Sequence, residues 1–363
     1  MSFATFVKAS RDFGNRLQIT VNAHRGREYI PRRSGFLNIE TSSTCNLKCR
    51  FCAYIKKQTP KGSMPNELFF DCVEQATELG FDTFDLTPCT GDVFMDPNLD
   101  SKLEFLDDHP GVKSFQFFAN FTIPSPTDID RLVRYRKLRL MAVSVYGHDL
   151  ESFIAITQSN EKVYRRLVVN LERLLEVLNR RRFDLQIHFR STRDVPRGEP
   201  SDVLRLLARF RKAGIVVRTS RVYNNWGGYI TQDDVQGLGI DITGTESTFK
   251  RGACTLLFTH AQVTASGIVN GCACRDVDAT LRIGDLNKES LATILSTENP
   301  TFLQLVSEQQ SGNFRPLCRS CDYYKSVYRR RWTDRNNSGF LLTLKDYLDD
   351  PAARYGARAE GPS

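Results

Sequence analysis

A chain of 363 residues, 40% apolar and 25% charged, can bury one large core with a smaller appendage and has the balance of a soluble globular protein. No apolar run reaches the roughly 20 residues that cross a bilayer, and Met1-Ser-Phe-Ala-Thr-Phe-Val-Lys8 shows no long apolar stretch before a small-residue cleavage site, so a cytoplasmic location and no membrane partner are expected. The net charge of +8 admits an anionic partner, yet Arg180-Arg181-Arg182 and Arg329-Arg330-Arg331 are short, far apart and in no nucleic-acid module; they read as solvated faces, nucleic acid is not expected, and a phosphorylated or nucleotide-linked substrate stays compatible.

Residues 1–35 are polar and basic with weak helical character, a lead-in segment too short to be an independent peptide-recognition domain. From Phe36 to Arg221 short apolar runs rich in β-branched and aromatic residues alternate with helical periodicity. The strand candidates are Phe36–Thr41, Thr83–Thr87, Ser114–Ala119, Leu138–Val145, Asp184–Arg190 and Ile215–Arg221. Between them the clearest helix covers Glu161–Leu178, where Val163, Leu167, Val168, Leu171, Leu174, Leu175 and Leu178 form a core-facing stripe. Strands alternating with helices predict a parallel sheet with crossovers. Six units are too few to close an eight-stranded barrel, so the fold class is α/β, a partial (β/α)6 TIM-like barrel over 36–228. Its chemistry belongs at the C-terminal ends of the strands. Residues 229–250, rich in Gly, Thr and Asp, read as a linker, 251–325 as a second small domain, and 326–363 as a C-terminal helical segment with a disordered tail from Ala352.

The chain has ten cysteines. Without an export signal they read as metal or catalytic ligands rather than disulfides. Cys45, Cys49 and Cys52, spaced C-x3-C-x2-C, follow the first strand. A 4Fe-4S cube is normally held by four thiolates, so three with no fourth nearby leave one iron open. Cys254, Cys272, Cys318 and Cys321 form a second set, C-x12-G-x4-C followed by C-x2-C, which is a full complement. Ala265-Ser266-Gly267 reads as a hairpin turn that carries Cys254 and Cys272 toward one site. Zinc in either set is the alternative that spacing leaves open, and with zinc in both the chain would be a non-catalytic metalloprotein. Cys72 falls in a helical stretch and reads as a buried free thiol.

The run Asn38-Ile-Glu-Thr-Ser-Ser-Thr-Cys45-Asn-Leu-Lys-Cys49-Arg-Phe-Cys52 resembles the radical S-adenosylmethionine (SAM) superfamily, in which the open iron chelates the amino and carboxylate groups of SAM. The resemblance puts Phe51 beside the adenine. It matches Thr90-Gly91-Asp92 to a Gly-Gly-Glu-like turn that receives the methionyl amino group, with a shorter acid here. Ala119-Asn120-Phe-Thr122 looks like a Thr-Asn-Gly-Thr segment beside the site. Ser144 matches the serine of a Ser-x-Asp-Gly segment, with Tyr146 in place of the aspartate. Arg190, at the fifth strand end, is placed to pair with the SAM carboxylate, a substrate group or a surface acid.

The second cysteine set, with the run Ile283-Gly-Asp-Leu-Asn-Lys-Glu-Ser-Leu-Ala-Thr-Ile-Leu295, resembles the twitch domain, a short relative of the SPASM extension, and implies one auxiliary 4Fe-4S cluster. No cysteine follows Cys321, so a second auxiliary cluster is not expected. The resemblance implies a 5′-deoxyadenosyl radical that takes a hydrogen atom from a small polar substrate, a sugar or aminocyclitol of a natural-product pathway. An electron donor such as flavodoxin or ferredoxin is implied as well. Epimerisation with a cysteine hydrogen donor is the first expectation, with Cys274 or Cys89 as that thiol. Alcohol dehydrogenation with the auxiliary cluster as electron acceptor and peptide modification are alternatives. Cys274 is also open to reading as an alternative cluster ligand or a structural thiol.

Overall fold

The computed structural model describes residues 3–32, 35–87, 89–195, 200–244, 248–331 and 341–350, and the expected disordered tail lies outside them. Helix α1 (Phe3–His24) leads into β1 (Ile30–Pro31). The repeating part runs β2 (Phe36–Ile39), α2 (Asn66–Glu78), β3 (Thr83–Asp85), α3 (Leu99–Asp108), β4 (Ser114–Ala119) and α4 (Pro126–Leu132). It continues through β5 (Leu138–Tyr146), α5 (Leu150–Thr157), α6 (Glu161–Val177), β6 (Asp184–Arg190), α7 (Asp202–Lys212) and β7 (Val216–Ser220). After β8 (Val222–Tyr223) and β9 (Asp241–Ile242) come α8 (Leu256–Thr259), β10 (Gln262–Val263), β11 (Ile268–Asn270) and β12 (Arg282–Asp285). Helices α9 (Leu291–Leu295), α10 (Pro300–Gln310) and α11 (Pro316–Ser320), strand β13 (Leu341–Leu342) and helix α12 (Leu344–Asp349) complete the order.

Strands β2 to β7 are neighbours in sequence order and all parallel, in registers such as Leu37↔Phe84, Phe84↔Phe115 and Val143↔Ile187. This is the α/β partial barrel that the six alternating units imply. Strands β2 and β3 stop two residues short of their expected ends, and β7 one residue short; in the first two the last residues turn into loops. Beyond Asp85, the Thr87 N–H donates to the Asp85 carboxylate at 2.9 Å, and beyond Ile39 the Ser42 to Ser63 bridge begins a separate loop.

Helix α6 is fixed by an Asn160 cap, whose side chain accepts the Val163 N–H. Its Leu167, Leu171 and Leu174 are buried against the sheet, as the stripe requires, while Val163, Val168 and Leu175 are only partly buried at its margin. Beside β2 the sheet does not end. Strand β10 pairs with it in parallel, Gln262↔Asn38 and Val263↔Ile39, and the β10–β11 and β11–β12 pairs continue antiparallel. One core therefore runs from Phe117 and Ile187 through Leu37 and Ile39 to Val263, Val269, Ile283 and Leu291. Strands β1 and β13 pair, Ile30↔Leu342, and bring the two ends of the described chain together. The expected linker 229–250 contains β9, which pairs in parallel with β8 just before it. Among the described residues no helix is long and apolar enough to cross a membrane.

Candidate active site

Strand β2 hands the chain to a loop that carries Cys45, Cys49 and Cys52. It is held by Met64 N–H donating to Thr41 O at 2.8 Å, Tyr54 Oη to Cys45 O at 3.0 Å and Cys52 N–H to Cys49 O at 2.9 Å. Burial pushes the Cys45 thiol up to about 12 and the Cys52 thiol to about 11. Cys49 is raised by burial and then by the charges of Cys52 and Cys45, while Arg190 pulls it down. Thiols that burial holds toward their neutral forms suit a cationic iron centre, which neutralises thiolates where water cannot.

The Thr90-Gly91-Asp92 turn docks on this loop. Gly91 has φ +106°, and a methyl group there would lie 2.2 Å from the Ser42 carbonyl oxygen, so only glycine lets the two loops touch. The Asp92 N–H donates to Thr44 O at 2.9 Å. Its carboxylate accepts the Asn120 N–H at 2.7 Å and the Phe94 N–H at 3.0 Å; burial raises it to about 6, against those two bonds. The Asn120 side chain donates to Asn46 Oδ1 at 2.9 Å and approaches Cys45 Sγ at 3.7 Å. Cys45, Asp92 and Asn120 are thus one hydrogen-bonded group.

Across the triad, the Phe51 ring lies 4.5 Å from that of Tyr223 and 5.4 Å from that of Tyr146. The Arg190 guanidinium covers both Tyr223, at 4.7 Å, and Phe51, at 5.5 Å, and its buried Nε has no hydrogen-bond partner among the described residues. Ser144 and Tyr146 share a face of β5 and are level with His188 and Arg190 of β6. Ser144 therefore sits on the site's face one step below the strand end. Tyr223 escaped the sequence reading, although its place just past β7 is where strand-end residues gather.

The second set is assembled by the hairpin. Thr264 N–H donates to Ile268 O at 2.9 Å, and Gly267 takes φ +84° as the turn demands. Cys254, Cys272, Cys318 and Cys321 line one cavity of about 30 Å³ walled by Leu257, Leu281 and Leu317. Three of the sulfurs accept hydrogen bonds: Cys254 from Lys325 N–H at 3.5 Å, Cys321 from Tyr323 N–H at 3.3 Å and Cys318 from Gln309 Nε2 at 3.2 Å. Hydrogen bonds to sulfur and an apolar wall are what tune iron-bound thiolates. Among the described residues no group of three or more His, Cys, Asp or Glu could hold a single metal ion. Sulfurs ranged around a hollow suit a cluster, whose irons stand between them.

Cys274 lines the same cavity, so five thiols surround it. The Cys272 thiol hydrogen-bonds to Cys274, which raises the former and lowers the latter, and Arg275 further favours the Cys274 thiolate. Cys89 belongs to neither set. It follows β3, and its thiol is pushed well up by burial and then by the charges of Glu40, Asp276 and Cys272, against Lys57. Cys72 is fully buried in α2. The loop after the triad is tied to the segment after Cys274. The Asp278 carboxylate accepts Gln58 N–H and Thr59 N–H at 2.9 Å each, Thr59 Oγ1 at 3.0 Å and Tyr229 Oη at 2.9 Å.

Residues 254–322 match the SPASM iron-sulfur cluster-binding domain. Among solved structures, BtrN in complex with AdoMet and 2-DOIA is similar with 14% identity and a TM-score of 0.52, over 86% of this chain and 100% of that one. Streptococcus suis SuiB bound to the precursor peptide SuiA is similar with 12% identity and a TM-score of 0.52, over 95% of this chain and 79% of that one. No curated protein matches the sequence. At these identities the likeness is one of fold. Together with the cluster-binding domain it supports the resemblance of the chain to radical SAM proteins of the SPASM/twitch group.

Proposed function

We propose that this chain, built as a radical SAM partial barrel with a cluster-binding extension, is an enzyme that epimerises a C–H centre of a small polar substrate, a sugar or aminocyclitol, with Cys89 as the hydrogen-atom donor. Cys45, Cys49 and Cys52 would hold a 4Fe-4S cluster that, with SAM and an electron from a donor such as flavodoxin or ferredoxin, would supply the radical chemistry that removes a hydrogen atom from an unactivated C–H bond. Cys254, Cys272, Cys318 and Cys321 would hold the auxiliary cluster. Asp92, aimed by Asn120 and Phe94, offers a carboxylate to the methionyl ammonium, and the unpartnered Arg190 Nε offers a donor to its carboxylate. Phe51 and Tyr223 give the adenine an apolar wall, and Ser144 lines the same face.

The observation that carries the choice of donor is the place of Cys89 outside both ligand sets, where burial first and acidic neighbours second favour the protonated thiol. Only an S–H can return a hydrogen atom, whereas a thiolate cannot; the thiyl radical left on Cys89 would be returned to the thiol by a second electron from the donor and a proton from solvent. Cys274, the other candidate, shares the cavity of the four expected ligands and suits iron better.

The test is turnover in deuterated water with whichever sugar or aminocyclitol stimulates 5′-deoxyadenosine formation. Solvent deuterium at the substrate carbon, lost in Cys89→Ala while 5′-deoxyadenosine still forms, supports the reading. A carbonyl product without label overturns it in favour of alcohol oxidation, a second reading favoured by the buried Glu40 carboxylate near Cys89, which can take a hydroxyl proton.

A further inference from the structure

Between the loop that follows the triad and the β10–β11 turn lies a cavity of about 560 Å³, a volume typical of small-molecule sites. None of the residues expected to hold SAM or a cluster lines it. Among its lining residues is Glu40, which is buried, with 3% of the residue exposed. Its Oε2 accepts the Ala265 N–H at 3.1 Å, and its other oxygen takes no hydrogen bond from any described residue. Lys57 is the cation whose field reaches Glu40, but its ammonium donates to the Val277 carbonyl, and among the described residues no ion pair joins the two. A carboxylate buried without an ion pair is costly, so burial raises the Glu40 carboxyl against the pull of Lys57, and a cationic ligand entering the cavity would hold it ionised. The wall and rim carry the opposite sign. Lys57, Lys61 and Arg282 line the same space, Arg282 with one nitrogen already paired to Asp285 at 3.0 Å, and Asp278, the other acid there, is already engaged by four hydrogen bonds. Cys89 does not line the cavity but is within electrostatic reach of both Glu40 and Lys57.

We infer that this cavity is the substrate site and takes a small zwitterion, with its ammonium on Glu40 and an anionic group on Lys57, Lys61 and Arg282. The inference rests on the enzyme reading above and narrows its substrate from a polar molecule to one that carries both an amine and an anion. Glu40 is the anchor that sets which end goes in.

Four probes test it by saturation-transfer NMR on the anaerobically reconstituted, SAM-bound protein: glucosamine 6-phosphate, glucosamine, glucose 6-phosphate and glucose. A charge-assisted hydrogen bond predicts that glucosamine 6-phosphate binds about tenfold or more tighter than glucose 6-phosphate. Glu40→Gln should reduce that ratio to about twofold or less and leave the phosphate preference intact, whereas Arg282→Gln should reduce the phosphate preference and leave the amine preference intact. Equal binding of amine and hydroxyl probes, or no binding of any probe, overturns the inference. If Glu40→Gln fails to fold by thermal melt, Lys57→Gln carries the test: removal of a like charge should tighten glucosamine relative to glucose, and an unchanged ratio overturns the inference. Failure of the enzyme reading shows separately, as absence of 5′-deoxyadenosine from SAM under dithionite.

Discussion

At the scale of single residues, the site depends on a contact that only glycine allows. A methyl group on Gly91 would meet the Ser42 carbonyl oxygen at 2.2 Å, so Gly91→Ala must separate the triad loop from the turn that presents Asp92. Backbone there cannot yield cheaply, and the φ of +106° is itself unfavourable for alanine. The variant should lose about tenfold or more in SAM affinity by equilibrium dialysis of the reconstituted protein, and stability of about 2 kcal/mol by urea unfolding. Unchanged SAM binding would contradict this placement of Asp92. Asp85 gives a pH signature. Burial raises its carboxyl to about 6, opposed by hydrogen bonds from Gln116 at 2.6 Å and Thr87 N–H at 2.9 Å. Because the folded value lies above the ordinary one, the stabilising contribution of the protonated form is present below about pH 4 and is lost as pH rises through 6. Relative to Asp85→Asn, the native chain should lose about 1 kcal/mol of stability between pH 5 and 7, read from urea midpoints; parallel profiles would refute it. The cysteine sets were legible because their spacing is local. Glu40 and Tyr223 were not, since their partners Ala265 and Arg190 come from distant segments whose approach is set by strand register.

At the scale of elements, two fastenings hold the loops. Lys102 of α3, with its side chain fully buried, donates to Asp96 just past the Asp92 turn and to the Met64 carbonyl at the end of the triad loop. Lys102→Met leaves Asp96 buried and unpaired, which should cost about 3 to 5 kcal/mol. Lys102→Met with Asp96→Asn should recover most of that in urea unfolding, and an equal loss in both would show that packing rather than charge is at stake. Asp278 is the second fastening. Asp278→Ala removes the acceptor of the Gln58 and Thr59 amides, so hydrogen exchange at those two amides should accelerate about tenfold or more while β6 stays protected. No acceleration would mean that this tie does not hold the loop. The six strands were readable because each is a short apolar run flanked by helical periodicity. Thr41 and Thr87 look like strand residues but spend their backbones on loops, which propensity cannot foresee. In α6 the leucine stripe set the buried face, but Val169 is 50% exposed.

At the scale of the molecule, the two cysteine sets belong to one mechanical unit. The sheet runs without a break from β12 to β7, and β10 extends the barrel next to β2, the strand that launches the triad. A linker and a separate small domain are what composition alone implies. That β10 adds to the edge of β2 was not visible, because two residues of strand carry no sign of their partner. The consequence for function is that both thiol groups are carried by loops of one continuous sheet. The central claim is that Cys45, Cys49 and Cys52 hold an open cluster that cleaves SAM. Its most direct test is 5′-deoxyadenosine formation by the anaerobically reconstituted chain with SAM and dithionite, alongside metal analysis. The account predicts about eight irons per chain, 5′-deoxyadenosine from the native sequence, and its loss in Cys49→Ala with the second cluster retained. Zinc in place of iron, or an iron-loaded protein that leaves SAM intact, would contradict it.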